Sequence, residues 1–169
     1  MITKSVLVEL ITEAGGFVST KDASLALMAT LAALGERLQE EPRELIAASL
    51  PEELADLMRE RAPDPSEELS ELFDRVRLHE GVKIGFAVEH AQIVCRAVGE
   101  LLSPESRMRL GRMVPAPFMA LFQPPPAAES LLDQPSKATV DGRTLSNGRS
   151  GARHPVSESR PPGSTSRRA

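Results

Sequence analysis

The chain has 169 residues, a single Cys and no Trp or Tyr, with aromatics at 3% against 41% hydrophobic residues. A core without large rings must be filled by Leu, Ala, Val, Ile and Met, which suits close-packed helices better than a β-sandwich, and one Cys excludes an intramolecular disulfide or a multi-cysteine metal site. The net charge of −4 is unevenly divided: residues 123–169 hold seven basic and four acidic side chains, leaving thirteen against twenty in the body, and an acidic body argues against nucleic-acid binding, which needs a clustered basic face.

The spacing of Val6, Leu7, Leu10, Ile11 and Ala14 predicts a first helix over 3–14, stopped by Gly15-Gly16. Ser19 or Thr20 caps the second, which runs to about Leu38 with Ala23, Leu27, Leu31, Leu34 and Leu38 along one face. Pro42 fits the first turn of a third helix with Leu45, Ile46 and Leu50 on its apolar side. Pro51 opens a fourth, whose Leu54, Leu57 and Met58 face inward. APDPS at 62–66 reads as a hinge, with Ser66 as the next cap. The fifth helix is expected from about Glu67 to His79 and the sixth from about Phe86 to Leu102. Ser103-Pro104-Glu105 begins the seventh; Pro115 opens the eighth, which ends near Phe122 before QPPP. Beyond that the chain is rich in Pro, Ser, Gly and Arg, with too few apolar residues to offset its ordering entropy, and reads as a disordered tail. Its one amphipathic stretch is Ala127–Leu132.

Residues 23–58 align without a gap on 87–122 at an offset of 64. Gly35/Gly99, Glu36/Glu100, Leu38/Leu102, Arg43/Arg107 and Pro51/Pro115 are among the identical pairs, and Leu7, Val8, Ile11 and Gly16 are answered by Leu72, Phe73, Val76 and Gly81 at an offset of 65. The expected fold is therefore all-α: eight helices in two pseudo-repeated four-helix halves, about 3–61 and 66–122, forming one domain over 1–122. ELFDRVRLHEGV, followed by a helix and then AVGELLSPESRMRLGRMVPAPFMALF, resembles the bacterial domain-of-unknown-function family numbered 2267, with LPEELADLM and VPAPFMALF closing the two halves. The resemblance covers roughly 3–122 and implies fold and duplication; it brings no catalytic residues.

Candidates for chemistry are few. Cys95 aligns with Leu31 on the apolar face, so it reads as a core thiol. His79 and His90, with Glu80 and Glu89 beside them, occupy the facing ends of the fifth and sixth helices and are the only candidate metal ligands. HEGVK does not follow the HExxH pattern, and the first half has no His at the aligned positions. Arg96, Arg107, Arg109 and Arg112 make the second half locally basic, and Glu100 and Glu105 are close enough in sequence to pair with several of them. No apolar run approaches the ~20 residues that cross a bilayer, and MITKSVLVELITEAGG is broken by Glu9 and Glu13, unlike a signal peptide. The expectation is a cytoplasmic, non-catalytic interaction or scaffold module with no cofactor, binding a protein partner or a second copy of itself. A small-molecule or metal-binding enzyme at the His79/His90 corner is the alternative, and nucleic-acid binding through the Arg-containing tail a second one.

Overall fold

Five of the eight helices among the described residues start at a Thr, Ser or Pro N-cap, and two end at a glycine in the left-handed region. The computed structural model describes residues 2–124, and these form eight helices and no strand. The tail expected beyond residue 122, Ala127–Leu132 included, lies almost wholly outside the described residues. α1 (Lys4–Gly15) opens where Thr3 accepts the Val6 amide and closes at Gly16, whose φ of 63° lies in the left-handed region. α2 (Thr20–Arg37) is capped by Ser19, which accepts the Asp22 amide and donates to the Asp22 carboxylate. α3 (Glu40–Ala47), α4 (Glu52–Arg59), α5 (Leu69–Glu80), α6 (Ile84–Leu101), α7 (Pro104–Met113) and α8 (Ala116–Leu121) follow.

Several boundaries differ from expectation. α3 begins at Glu40, placing Pro42 at its third residue; the first four N–H groups of a helix have no intrahelical acceptor, so the proline costs nothing there. Pro51 and Pro115 are N-caps rather than first helical residues. α6 starts two residues before Phe86, at Ile84. Ser66 does not cap α5: its hydroxyl accepts the Glu68 amide ahead of the helix, and Glu68, at the N-cap, makes no side-chain bond there. Leu57 is only partly buried, while Leu54 and Met58 are fully inside.

α2 is the centre of the packing. Alanines at 23, 26, 29, 32 and 33, together with Gly35, keep it slim, and α1, α4, α5 and α6 all lie against it. Small side chains on several faces let several neighbours approach at once. The contacts also recur along the chain: α1 packs on α2 and α6, and α5 packs on α6 and α2. α4 covers α2 as α8 covers α6, and α3 meets α7. Helix starts recur at a spacing of 64 or 65 residues throughout. One apolar core runs from Leu7 to Phe122. No single helix among the described residues is long and apolar enough to cross a membrane.

The connector at 62–66 is fastened to the end of α2. Asp64 N donates to Glu36 O at 2.8 Å and Ser66 N to Arg37 O at 3.0 Å. Arg37, with a side chain only 10% exposed, donates through Nη1 to the Asp64 carbonyl, and the same nitrogen is 3.1 Å from the Asp64 carboxylate and 3.2 Å from Glu71. The prolines make this stretch a stiff strap. It lays α5 along α2.

Candidate functional site

The chemistry-bearing corner is built by two glycine turns. Gly16 and Gly81 both take positive φ, at 63° and 76°, and turn the chain out of α1 and α5 into the next helices. The second turn leaves Glu80 at the end of α5 and starts α6 three residues later, so that His90 lies two turns into α6 and reaches back. His90 Nδ1 is 2.6 Å from Glu80 Oε1. The first turn supplies Phe17, whose ring centroid is 4.6 Å from that of His90, and Phe86 flanks the same imidazole at 6.1 Å.

This pair is largely taken out of water: the side chain of Glu80 is 5% exposed and that of His90 18%. Burial raises the Glu80 carboxyl above its ordinary value, His90 opposes that rise, and Asp22 adds to it. The second carboxylate oxygen, Oε2, is buried without a hydrogen-bond partner. A carboxylate and an imidazole in contact can pass a proton, but a reaction also requires a nucleophile or electrophile within reach.

The other candidates do not join this pair in a common site. His79 turns to α2, where its Nε2 is 2.8 Å from Glu36 Oε1, and Arg75 adds an ion pair to the same carboxylate at 3.7 Å. Glu89 is exposed on α6 and makes no ion pair among the described residues. Among those residues, no group of three or more His, Cys, Asp or Glu is placed to hold a metal ion. Cys95 is fully buried, and burial pushes its thiol up to about 12, far from the range of a reactive thiolate.

The arginines of the second half are placed differently from the sequence expectation. None of Arg96, Arg107, Arg109 and Arg112 forms an ion pair with Glu100 or Glu105 among the described residues. Arg107 instead donates through Nη2 to Gly99 O at 2.7 Å, closing the C-terminal end of α6, and Arg43 does the same for α2 through Gly35 O at 3.3 Å. Helix C-terminal carbonyls compete well for a guanidinium because they lack intrahelical donors and carry the negative end of the helix dipole.

Residues 5–121 match the family described as uncharacterized conserved protein (DUF2267). The chain belongs to that family. No curated protein matches it. The DUF2267 match runs from the first turn of α1 to the end of α8 and stops short of the tail, so it covers the helical body and both glycine turns. Three residues of this DUF2267 body went unnoticed in sequence: Phe17 against His90, Glu36 under His79, and Arg37 in the strap. Only Glu36 carried a signal, as one of the identical pairs of the repeat. Its counterpart Glu100 makes no ion pair among the described residues.

Proposed function

We propose that residues 1–122 form a non-catalytic helical interaction module made of two copies of one four-helix half, with residues 123–169 as its tether or docking segment. The observation that carries the reading is the apolar corner around His90. Val18 is 96% exposed, Phe86 55% and Ile84 50%. Val18 follows Phe17 and Ile84 lies two residues before Phe86, so the exposed apolar side chains sit within two residues of the rings that flank the imidazole. Large apolar side chains gathered at one exposed corner, over a buried polar pair that fixes their base, suit the docking of another protein. The recurrence of helix starts, of the glycine turns and of the Arg43/Arg107 contacts supports the reading of the halves as copies.

The test is crosslinking capture with the full chain as bait, set against an Ile84→Ser, Phe86→Ser double variant and a chain ended after Phe122. Capture of a defined protein that is lost in the double variant, with helicity unchanged by circular dichroism, supports the corner. Capture that survives in the double variant refutes it.

A further inference from the structure

The two halves dress the same seam in opposite ways. Where α5 lies along α2, the outward positions Glu71, Arg75 and His79 are polar and tied into the ion pairs of Glu36 and Arg37. Moved back by the repeat offsets, those positions are Val6, Leu10 and Ala14 on α1, and Glu36 becomes Glu100 on α6. The α1–α6 seam is accordingly an apolar groove: Leu10, Ala14, Ile93 and Ala97 line its floor, with Leu10 45% and Val6 44% exposed. Val6, Leu10 and Ala14 recur every four residues and so form one stripe about 12 Å long on α1. The same place in the fold is sealed by ion pairs in one half and left bare in the other.

The groove's charges indicate what covers it. Glu13 and Glu100 line it together with Arg96, yet no carboxylate lies within ion-pair distance of Arg96 among the described residues, and its Nε is buried without an acceptor. A patch that holds both signs of charge around an apolar centre, with its cation unpaired, is complementary to itself. In a two-fold arrangement residue i meets j of the other copy and j meets i, so a single contact type, Arg96 to Glu13, is made twice. The small Ala14 and Ala97 allow helices to approach closely at the centre. A partner of one sign would leave either Arg96 or the two glutamates facing a like charge.

We infer that the α1–α6 face is a homodimer interface, its occupant a second copy of this chain, with Leu10, Ala14, Ile93 and Ala97 at the centre and Arg96 paired to Glu13 across the two-fold axis. The inference names a partner for the interaction module and uses a groove that adjoins the His90 corner, Ile93 lying beside Phe17 at Gly15, but that is lined by neither Ile84 nor Phe86. The Ile84→Ser, Phe86→Ser variant therefore leaves the dimer intact, and a failure of either reading shows separately.

Sedimentation of the full chain from micromolar to tenths of millimolar concentration tests it. The expected mass is twice the 18.3 kDa of the chain. Arg96→Glu gathers like charges in the groove and weakens association at least about tenfold, on the scale of a close interfacial charge pair. Adding Glu13→Arg to that variant restores affinity to within about threefold of the parent. Leu10→Gln, at a half-exposed position the monomer tolerates, also dissociates the dimer while circular dichroism stays unchanged. A chain that remains monomeric at every concentration overturns the inference. So does a dimer indifferent to both Arg96→Glu and Leu10→Gln, or a double charge swap that fails to recover association. Monomers with Leu10→Cys protected from labelling would assign the groove to another occupant and overturn it equally.

Discussion

Gly35 gives its Cβ space to the carbonyl oxygen of Met58: a methyl group built on that glycine would lie 2.5 Å from it. Gly99 stands in the same relation to the carbonyl of Phe122, closer still. The end of α4 is thus pressed onto the backbone of α2, and the end of α8 onto that of α6.

Glycine-to-alanine changes inside a helix ordinarily stabilise by about 0.5–1 kcal/mol. Here the sign reverses. Gly35→Ala and Gly99→Ala each drive a methyl into backbone, which cannot rotate away, and should lose about 1–3 kcal/mol in urea melts. Gly85→Ala, with nothing within 4 Å of its Cβ, is the control and should lose nothing. If the halves are copies, the two losses should be similar; a neutral Gly35→Ala would show that the close approach is not structural.

Arg107→Ala removes the donor from Gly99 O and leaves the end of α6 uncapped, a loss of about 1.5–3 kcal/mol for a hydrogen bond to a charged group. Arg43→Ala, whose bond to Gly35 O is 3.3 Å against 2.7 Å, should cost less. Chemical denaturation of both variants checks the order, and equal or inverted losses would contradict the geometry.

Cys95 lies at the centre of α6 with no exposed surface. Native protein should react with thiol reagents only at the rate of unfolding, and Cys95→Ser should lose about 1–3 kcal/mol by placing a hydroxyl in an apolar site. The thiol also makes stability depend on alkaline pH. Because burial raises it from 9.0 to about 12, the unfolded chain releases the proton first as pH rises. Stability therefore falls between those values by up to about 1.4 kcal/mol per pH unit. Cys95→Ala should lack that decline relative to the parent. Rapid labelling of folded protein would remove the basis for both expectations.

Glu80 gives a second pH dependence with the same sign at lower pH. Its carboxyl is raised by burial above the ordinary 4.5, so the folded protein keeps a proton that the unfolded chain has lost, and this group's contribution to stability drops as pH climbs through that window. In Glu80→Gln the drop disappears. Paired thermal melts from pH 4 to 7 should show the variant gaining on the parent as pH rises; parallel curves would mean that His90 already offsets the burial.

Periodicity was enough to place the helices, because the apolar positions of α1, α2 and α6 face one shared core and the prolines mark the first turns. The repeat went further: two of its identical pairs, Gly35/Gly99 and Arg43/Arg107, turn out to be the residues that make the close approaches. Polar contacts between distant segments left no such trace. Glu100 and Glu105 are well spaced to pair with nearby arginines, but the free carbonyls at the end of α6 compete for Arg107, and local spacing cannot register an acceptor created by a helix terminus. His79 and His90 look like neighbours in sequence. The structure assigns each its own glutamate, because α2 brings Glu36 to the outer side of α5.

The strap at 62–66 also bears on what a half of this chain could do alone. It lays α5 on α2, and α1 lies on both α2 and α6, so each half supplies the cover for the other's central helix. Cut at residue 61, the first fragment would keep α2 but lose α5 and α6, two of the four helices that lie against it. Expressed separately, the fragments should be aggregation-prone, and mixed they should reconstitute the helical body without the covalent link. A half-length chain would find its missing cover only in another chain.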